Sequence, residues 1–567
     1  MAEATSSSRN KIYALGVVGF LAIISILYYL SAPVYLYIVA YTWFGFIYGA
    51  LQQYGRFCFA SAWRDLIMVR VPRMFVGIMM GLMTLSIISA ALMIKYPSFY
   101  HPSPIGPHEL VGGLIFGLGM VFAGGCATGS LYKSGEGNMI SLTVLLTLSF
   151  TQAIFVAFPF FDEMMDGLHL TGPNSVGALT PDTWHWPQYL MANKIFNIPQ
   201  GEHPTFIQNL IGNSLINTIL IAMVLLVCVY LIYVRKNFLK RRVVSLTKSA
   251  DGGEVKMGIG DDLAGFWSMI SSSKRTTIAA VLLAVVAAIQ VFTMSWMRDD
   301  YNFGDDLGGG NFGLVFAQNA DGSRRVMFSE AENKTLTPAQ KQEKIDSTLK
   351  KWPAADPAEA TQIKYNGKLE ALPGTGGNMF DPGYWYITTQ EAMFAGWVID
   401  KVIPESITGN LRAPHYNTDA MYPDNVREVL PPDQEVNGNR YFGGAGVGGG
   451  NALPKPWLSP ALLLSIGLIL GASFLSLWNK EFKWKFPTKE LAVYAVGGGI
   501  LMGIGSRIAL GCNIGAFYTR ASFGSWGGWL FFFGMGIGAF VSAKAVNYIA
   551  NKKMAKQMED MDFDIEL

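Results

Sequence analysis

The sequence predicts an all-α polytopic membrane protein: about ten transmembrane helices with re-entrant half-helices and an inverted internal repeat, plus a small extracytoplasmic insert domain. Three observations predict it. Hydrophobic residues are 51% of the 567 and charged residues only 15%, with mean hydropathy +0.29, a balance that long apolar segments produce. Those segments recur at the length of a membrane crossing. One glycine-rich apolar stretch occurs twice.

A spanning helix needs about 20 mostly apolar residues. By that criterion the spans are 12–31, 34–51, 72–94, 109–124, 139–159, 207–234, 276–296, 457–478, 490–508 and 526–549. Ala32-Pro33 leaves room only for a tight turn between the first two. The first apolar run is too long for a signal peptide and no small-residue cleavage site follows, so it reads as an uncleaved helix. The fourth span is short for a crossing, which points to a broken helix.

Basic residues orient the chain, because loops rich in Lys and Arg stay cytoplasmic. Arg235, Lys236, Lys240, Arg241 and Arg242 follow the sixth span; Lys480, Lys483, Lys485 and Lys489 fill 479–489; Lys552, Lys553 and Lys556 follow the last span. With ten spans all three clusters share one side, as do Arg64, Arg70 and Arg73. The expectation is a multi-pass protein of the cytoplasmic (inner) membrane with both termini cytoplasmic. The chain divides into a first membrane half (1–244, with the extracytoplasmic loop 160–206), a cytoplasmic or interfacial linker (245–275) and a helix (276–296). An extracytoplasmic insert (297–456), a second membrane half (457–550) and a cytoplasmic tail (551–567) follow. Within the linker, GDDLAGFWSMISSSKR reads as an amphipathic helix with Phe266, Trp267, Met269 and Ile270 as its apolar side. The insert is polar, with a helical stretch at 337–351, an aromatic stretch at 380–398 and a glycine-rich hinge at 443–451.

The repeat aligns 112–132, GGLIFGLGMVFAGGCATGSLY, with 498–518, GGILMGIGSRIALGCNIGAFY. Gly112, Gly113, Gly117, Gly119, Gly125 and Gly129 meet Gly498, Gly499, Gly503, Gly505, Gly511 and Gly515, and Cys126 meets Cys512. A GxxxGA face precedes each copy, at 45–50 and 467–472, and lets helices approach closely. The span 72–94 intervenes only in the first half, so the two Gly-Cys segments enter from opposite faces, a transporter layout.

The chemistry sits where apolar runs break. Irregular backbone at membrane depth is tolerated where it is buried in protein or lines a cavity. A half-helix starting at Gly125-Cys126 or Gly511-Cys512 aims free N–H groups and its positive dipole end into such a cavity, which suits a small anion. Thr128 and Asn513 add side-chain donors. Cys58 lies in a third break, GRFCF, with Arg56 and Arg64 nearby, and Arg507 is the strongest cationic candidate because it interrupts an apolar run. Gly113, Gly117, Gly499 and Gly503 read as packing residues, Cys228 as a packed thiol, and Lys133 and Glu136 as loop charges. No CxxC or histidine partner accompanies the cysteines, so neither a metal nor a cofactor is expected. A net charge of +2 gives no reason to expect a nucleic-acid partner.

The motifs GRFCF (55–59), GxxxxGGCATG (119–129) and RIALGCNIGAFY (507–518) resemble the YeeE/YedE family of bacterial and archaeal sulfur transporters, known for thiosulfate uptake. The resemblance implies a multi-helix membrane fold with re-entrant helices, and thiosulfate passing along cysteine S–H groups, roles that fall on Cys58, Cys126 and Cys512. It implies import of thiosulfate or a related small sulfur-containing anion, without enzymatic chemistry: no His or acid adjoins Cys126 or Cys512 to make a thiolate nucleophile. The rival expectation is a membrane anchor or docking subunit of an extracytoplasmic sulfur-metabolising or redox complex. The insert 297–456 is larger than the family pattern needs, and fits a protein partner or an oligomer contact beyond the lipid bilayer.

Overall fold

The computed structural model describes residues 2–31, 36–95, 106–157, 205–212, 215–239, 258–299, 388–402, 456–458, 460–509 and 511–565, with short pieces inside 314–343 and 435–440. The turn at Ala32-Pro33, the loop 160–206, most of the helical stretch 337–351 and the hinge 443–451 lie outside the described residues.

Helices occupy all ten expected spans. In chain order they are α1 (Ala2–Ser31), α2 (Leu36–Gly55), α3 (Phe59–Arg64, running on in a π-wound turn Asp65–Val69), α4 (Arg73–Lys95), α5 (Pro107–Phe122), α6 (Ala127–Gly135) and α7 (Met139–Ala157). Then come α8 (Phe206–Gly212), α9 (Leu215–Val229), α10 (Ile259–Ser271), α11 (Lys274–Asp299) and α12 (Thr388–Val402). The second half holds α13 (Pro460–Trp478), α14 (Lys489–Ile508), α15 (Asn513–Thr519, π-wound, closing in Arg520–Ser522) and α16 (Trp526–Ile565). Among the described residues, seven helices are long and apolar enough to cross a membrane, with Met139–Phe155 and Leu462–Trp478 shorter apolar ones. The strands among the described residues are two antiparallel pairs in the insert, Leu314–Gln318 with Arg325–Ser329 and Glu435–Val436 with Asn439–Arg440.

Glycines set the helix order. A Cβ at Gly119 would lie 2.6 Å from the Gly498 carbonyl oxygen, and one at Gly505 2.7 Å from that of Gly112. Low numbers on α5 thus meet high numbers on α14, so these helices cross antiparallel, backbone on backbone. Because Gly112 and Gly119 are the repeat mates of Gly498 and Gly505, the two contacts are related by the two-fold of an inverted repeat. The neighbouring glycines extend that symmetry by one helix: Gly113 and Gly117 face the Phe531 and Met535 backbone of α16, while Gly499 and Gly503 face Thr147 and Thr151 of α7. The GxxxGA helices behave otherwise. Gly45 and Gly49 press on the Leu464 and Leu468 carbonyls, Gly467 and Gly471 on those of Thr42 and Phe46. Numbers rise together there, so α2 and α13 run parallel, and α4 supplies the crossing that reverses the Gly-Cys segment.

The short fourth span is a broken helix. α5 stops at Phe122, Gly124 takes a left-handed φ of 68°, and α6 restarts at Ala127. The α6–α7 turn is stitched to the connection 479–489: Lys485 N donates to the Gly137 oxygen at 3.0 Å, and Met139 N to the Lys485 oxygen at 3.0 Å. This face, with Lys480, Lys483 and Lys485, is the basic face; α4 ends and α5 begins at the opposite one.

Two peripheral helices differ from expectation. In α10 the outward apolar stripe is Ile259, Leu263 and Trp267, one residue per helical turn. Met269 is buried and Phe266 packs edge-on against Tyr230 at 5.9 Å, so the expected apolar side is split between protein and outside. Arg235 donates to both Asp262 oxygens, at 2.8 and 3.0 Å, and holds that carboxyl below its usual range. In the insert, the described part of the aromatic stretch, from Thr388 on, lies in α12, which packs along α7. It buries Glu391, whose two oxygens have no hydrogen-bond partner, and that burial pushes the carboxyl up to about 8.

Two measurements check these contacts. A Cβ at Gly498 would meet Ala123 N at 2.6 Å, whereas one at Gly497 meets nothing within 4 Å. Gly498→Ala should lower the thermal transition by the equivalent of about 1–3 kcal/mol, and Gly497→Ala should be neutral or stabilising because alanine favours helix by up to about 1 kcal/mol. Because the Glu391 value is raised on folding, docking of α12 is strongest below the carboxyl's ordinary value and weakens as pH rises to about 8. Hydrogen exchange over 388–402 should therefore speed up relative to α7 with rising pH, and Glu391→Gln should abolish the difference.

Candidate functional site

Three chain breaks converge in the core. Between α2 and α3, Arg56 takes φ 52°, Phe57 N returns to the Gln52 oxygen at 3.0 Å, and Cys58 is extended at the N-cap of α3. Between α5 and α6, Cys126 is extended and caps α6 with its own sulfur, which accepts from Gly129 N at 3.3 Å. Between α14 and α15, Cys512 is extended at the start of the π-wound segment, and Ala516 N donates to its oxygen at 2.6 Å.

All three cysteines are buried. The Cys58 and Cys126 sulfurs stand 3.7 Å apart, and either can donate. Asn513 Nδ2 donates to Cys126 Sγ from 3.6 Å, so the second repeat reaches the first at that atom. Cys512 is the residue before it. Gly129 explains the closeness: a Cβ there would lie 2.6 Å from Cys58 Sγ and 3.3 Å from Cys126 Sγ. Depth follows from the glycine contacts. Gly498, beside Ala123, is midway along α14, so the Cys126 turn lies halfway across the fold.

Polar atoms here are unsatisfied. Thr128 Oγ1 and Asn513 Oδ1 are buried with no hydrogen-bond partner. Each such group costs about 1–3 kcal/mol, so a polar guest beside the thiols would recover part of that cost. The frame around it is aromatic. Phe59 packs edge-on against Phe517 at 6.0 Å and Tyr518 at 6.1 Å, and Phe517 stacks on Phe532 at 4.5 Å. These rings lock α3, α15 and α16 together, and thereby fix the third cysteine against the repeat.

The remaining sequence candidates divide. Gly125 and Gly511 are buried in the two turns, and Arg507 is 2% exposed on the last turn of α14. Arg56 is not brought to the thiols: its side chain is 68% exposed and pairs with Glu481 at 3.3 Å on the basic face. The left-handed turn that buries Cys58 swings Arg56 outward. Arg64 is exposed and paired with Asp65 at 2.9 Å. Cys228 is exposed among Val227 and Leu231 on the outward side of α9, which corrects its reading as a packed thiol.

Two features escape motif reading. Lys133, expected as a loop charge, sits on α6 and donates from Nζ to the Gly124 oxygen at 2.9 Å, clamping the Gly-Cys turn. Its spacing of four from Gly129 was the available signal, since it places both on one helix face. Glu109 is fully buried and accepts from Arg520 Nη1 at 2.6 Å. An acid opening an apolar span was a signal by itself, but its partner stands 411 residues away.

Comparison with known proteins finds relatives of this sequence. The sequence profile of the sulphur transport family matches residues 54–321 and 442–541, well over half of the chain and both Gly-Cys segments. The unmatched stretch between them falls inside the insert. The thiosulfate transporter TsuA of Escherichia coli is 37% identical over 114 residues, 19% of this chain and 32% of that protein. TsuA of Spirochaeta thermophila is 38% identical over 94 residues, 16% of this chain and 28% of its own length. The probable transporter YedE of Escherichia coli is 35% identical over 99 residues, 17% and 24% respectively. The matches span a third or less of the length of these relatives.

Proposed function

This chain belongs to the sulphur transport family, and from that we infer that it imports thiosulfate, or a related small sulfur-containing anion, across the cytoplasmic membrane along its buried cysteines. The observation that carries this reading is the cluster at mid-depth: Cys58 Sγ and Cys126 Sγ at 3.7 Å, with Asn513 Nδ2 at 3.6 Å. Two of the relatives are named thiosulfate transporters.

The chemistry follows from the donor set. Neutral thiols are weak S–H donors, so they hold a soft anion briefly and let it go. The pair hydrogen-bonded to each other in the resting site turns outward to the guest, and the Thr128 hydroxyl and the α6 N-terminus add donors at no cost in buried charge. Cys512, at the start of α15, takes the anion from or hands it to this cluster, with Gly125 and Gly511 providing the turns. Arg507, buried in the same span as the second turn, contributes the positive potential that draws an anion to membrane depth. Clustering of Lys480, Lys483, Lys485 and Arg235 on one face favours a cytoplasmic basic face, so Arg56 with Glu481 marks the exit rim.

Uptake of radiolabelled thiosulfate into proteoliposomes tests this. One hydrogen bond to an anion is worth about 1.5–3 kcal/mol, or roughly ten- to a hundredfold in affinity. Cys58→Ala, Cys126→Ala and Cys512→Ala should each lower uptake by about that factor, and Gly129→Ala should do likewise by pushing both sulfurs aside. Cys228→Ala is the matched control and should transport as the parent does. Undiminished uptake in both Cys126→Ala and Cys512→Ala would sink the thiol path.

A further inference from the structure

Beyond the cysteines, a group of buried polar atoms lies where α5 begins and α15 ends. Glu109 has 0% side-chain exposure and Arg520 13%. Arg520 Nη1 donates to Glu109 Oε1 at 2.6 Å and to the Ala509 oxygen at 3.3 Å. Ala509 is the C-cap of α14, three residues before Cys512, so one guanidinium joins the first repeat to the second Gly-Cys turn. The carboxyl is pressed against Gly527, where no methyl would fit. Glu109 Oε2 has no hydrogen-bond partner, and neither do Ser525 Oγ and Trp526 Nε1, both buried beside Gly527. The Ser525 backbone turns back on that of Arg520, its N donating to the Arg520 carbonyl oxygen at 3.0 Å.

This is a half-buried cation held by a carboxylate, with two idle donors, a hydroxyl and an indole N–H, on the two residues before the glycine that the carboxylate presses. It is the donor set of an anion site whose place is taken by an internal carboxylate. We propose that Arg520, Ser525 and Trp526 form a second anion subsite at the opposite-face end of the path, with Glu109 as its built-in competitor, so that a small sulfur oxyanion binds there together with one proton. This inference rests on the transport reading for the identity of the anion. The exchange balances: the anion replaces the carboxylate on Arg520, and Glu109, left without its cation, takes one proton from solution; no electrons move. An uncompensated buried carboxylate is what makes the proton uptake obligatory.

The groups facing the carboxyl limit where that proton can go. Among the described residues, Arg520 is the charged group upon it, and His108, beside it on α5, is the other titratable one in the cluster. α16 contributes Gly527, and α14 the Ala509 carbonyl that Arg520 holds. α3, which also packs on α5, ends in the Arg64–Asp65 pair, exposed and satisfied within itself.

Purified full-length protein in weakly buffered detergent, mixed with thiosulfate and a pH indicator, tests this. The parent should take up close to one proton per anion bound at this subsite, and affinity should fall about tenfold per pH unit across the range of uptake. Glu109→Gln should bind thiosulfate with no proton uptake and no such pH slope, and Arg520→Gln should lose the proton-linked binding. Saturation of the parent with thiosulfate without any proton uptake would overturn the proposal, with no reliance on any variant folding. Proton uptake retained in Glu109→Gln would also overturn it, by placing the proton on another group. Cys126→Ala separates the two readings: it should keep proton-linked binding while transport falls. Loss of transport reading alone leaves this subsite standing, and an unlinked parent that still transports overturns the subsite alone.

Discussion

The close crossing of α5 and α14 is the constraint on which the rest depends. Gly119 lies on Gly498 and Gly112 on Gly505 with no side chain between, so two helices entering from opposite faces share one central plane. In lipid there is little hydrophobic force between helices, and close van der Waals packing of small residues takes its place. Once the backbones touch, both helices must stop where the chain turns, and their Gly-Cys turns point into the same interior. Asn513 reaching Cys126 at 3.6 Å is the consequence.

That geometry concentrates cost in one spot. The Thr128 hydroxyl and the Asn513 amide oxygen are buried without partners, and two thiols have mainly each other. A core built for stability alone would fill these positions with apolar side chains. Here the aromatic packing of Phe59, Phe517, Tyr518 and Phe532 offsets the loss nearby and holds α3 still, so the unsatisfied atoms stay aimed at one place. Rigidity around an incompletely satisfied centre is what a site needs to bind a guest and then release it. The ion pair of Glu109 and Arg520 repeats the theme where α5 begins, with full charges in place of dipoles.

Much of this was legible in the sequence because it was periodic. The matched glycines and the extra span 72–94 were enough to make the Gly-Cys segments antiparallel, and the short fourth span was enough to break the helix at Cys126. What depended on side-chain direction was not legible. Arg56, two residues from Cys58, turns to the surface because its own φ is 52°, and no local pattern announces that. Phe266 and Trp267 are neighbours in the sequence yet face protein and exterior. Glu109 and Arg520 meet only after the whole inverted repeat has assembled. Gly129 was visible as a repeat glycine, but its job of making room for two sulfurs needed the third break at Cys58 in place.

The central claim is that a sulfur anion sits on the thiols at mid-depth. Selenosulfate carries the anomalous scatterer at the position of the terminal sulfur of thiosulfate, so diffraction from crystals of the full-length protein grown with it locates that atom directly. The account predicts a selenium peak within hydrogen-bonding distance of the Cys58 and Cys126 sulfurs, beside Asn513 and Thr128. Well-occupied selenium elsewhere in the protein, with that site empty, would contradict it.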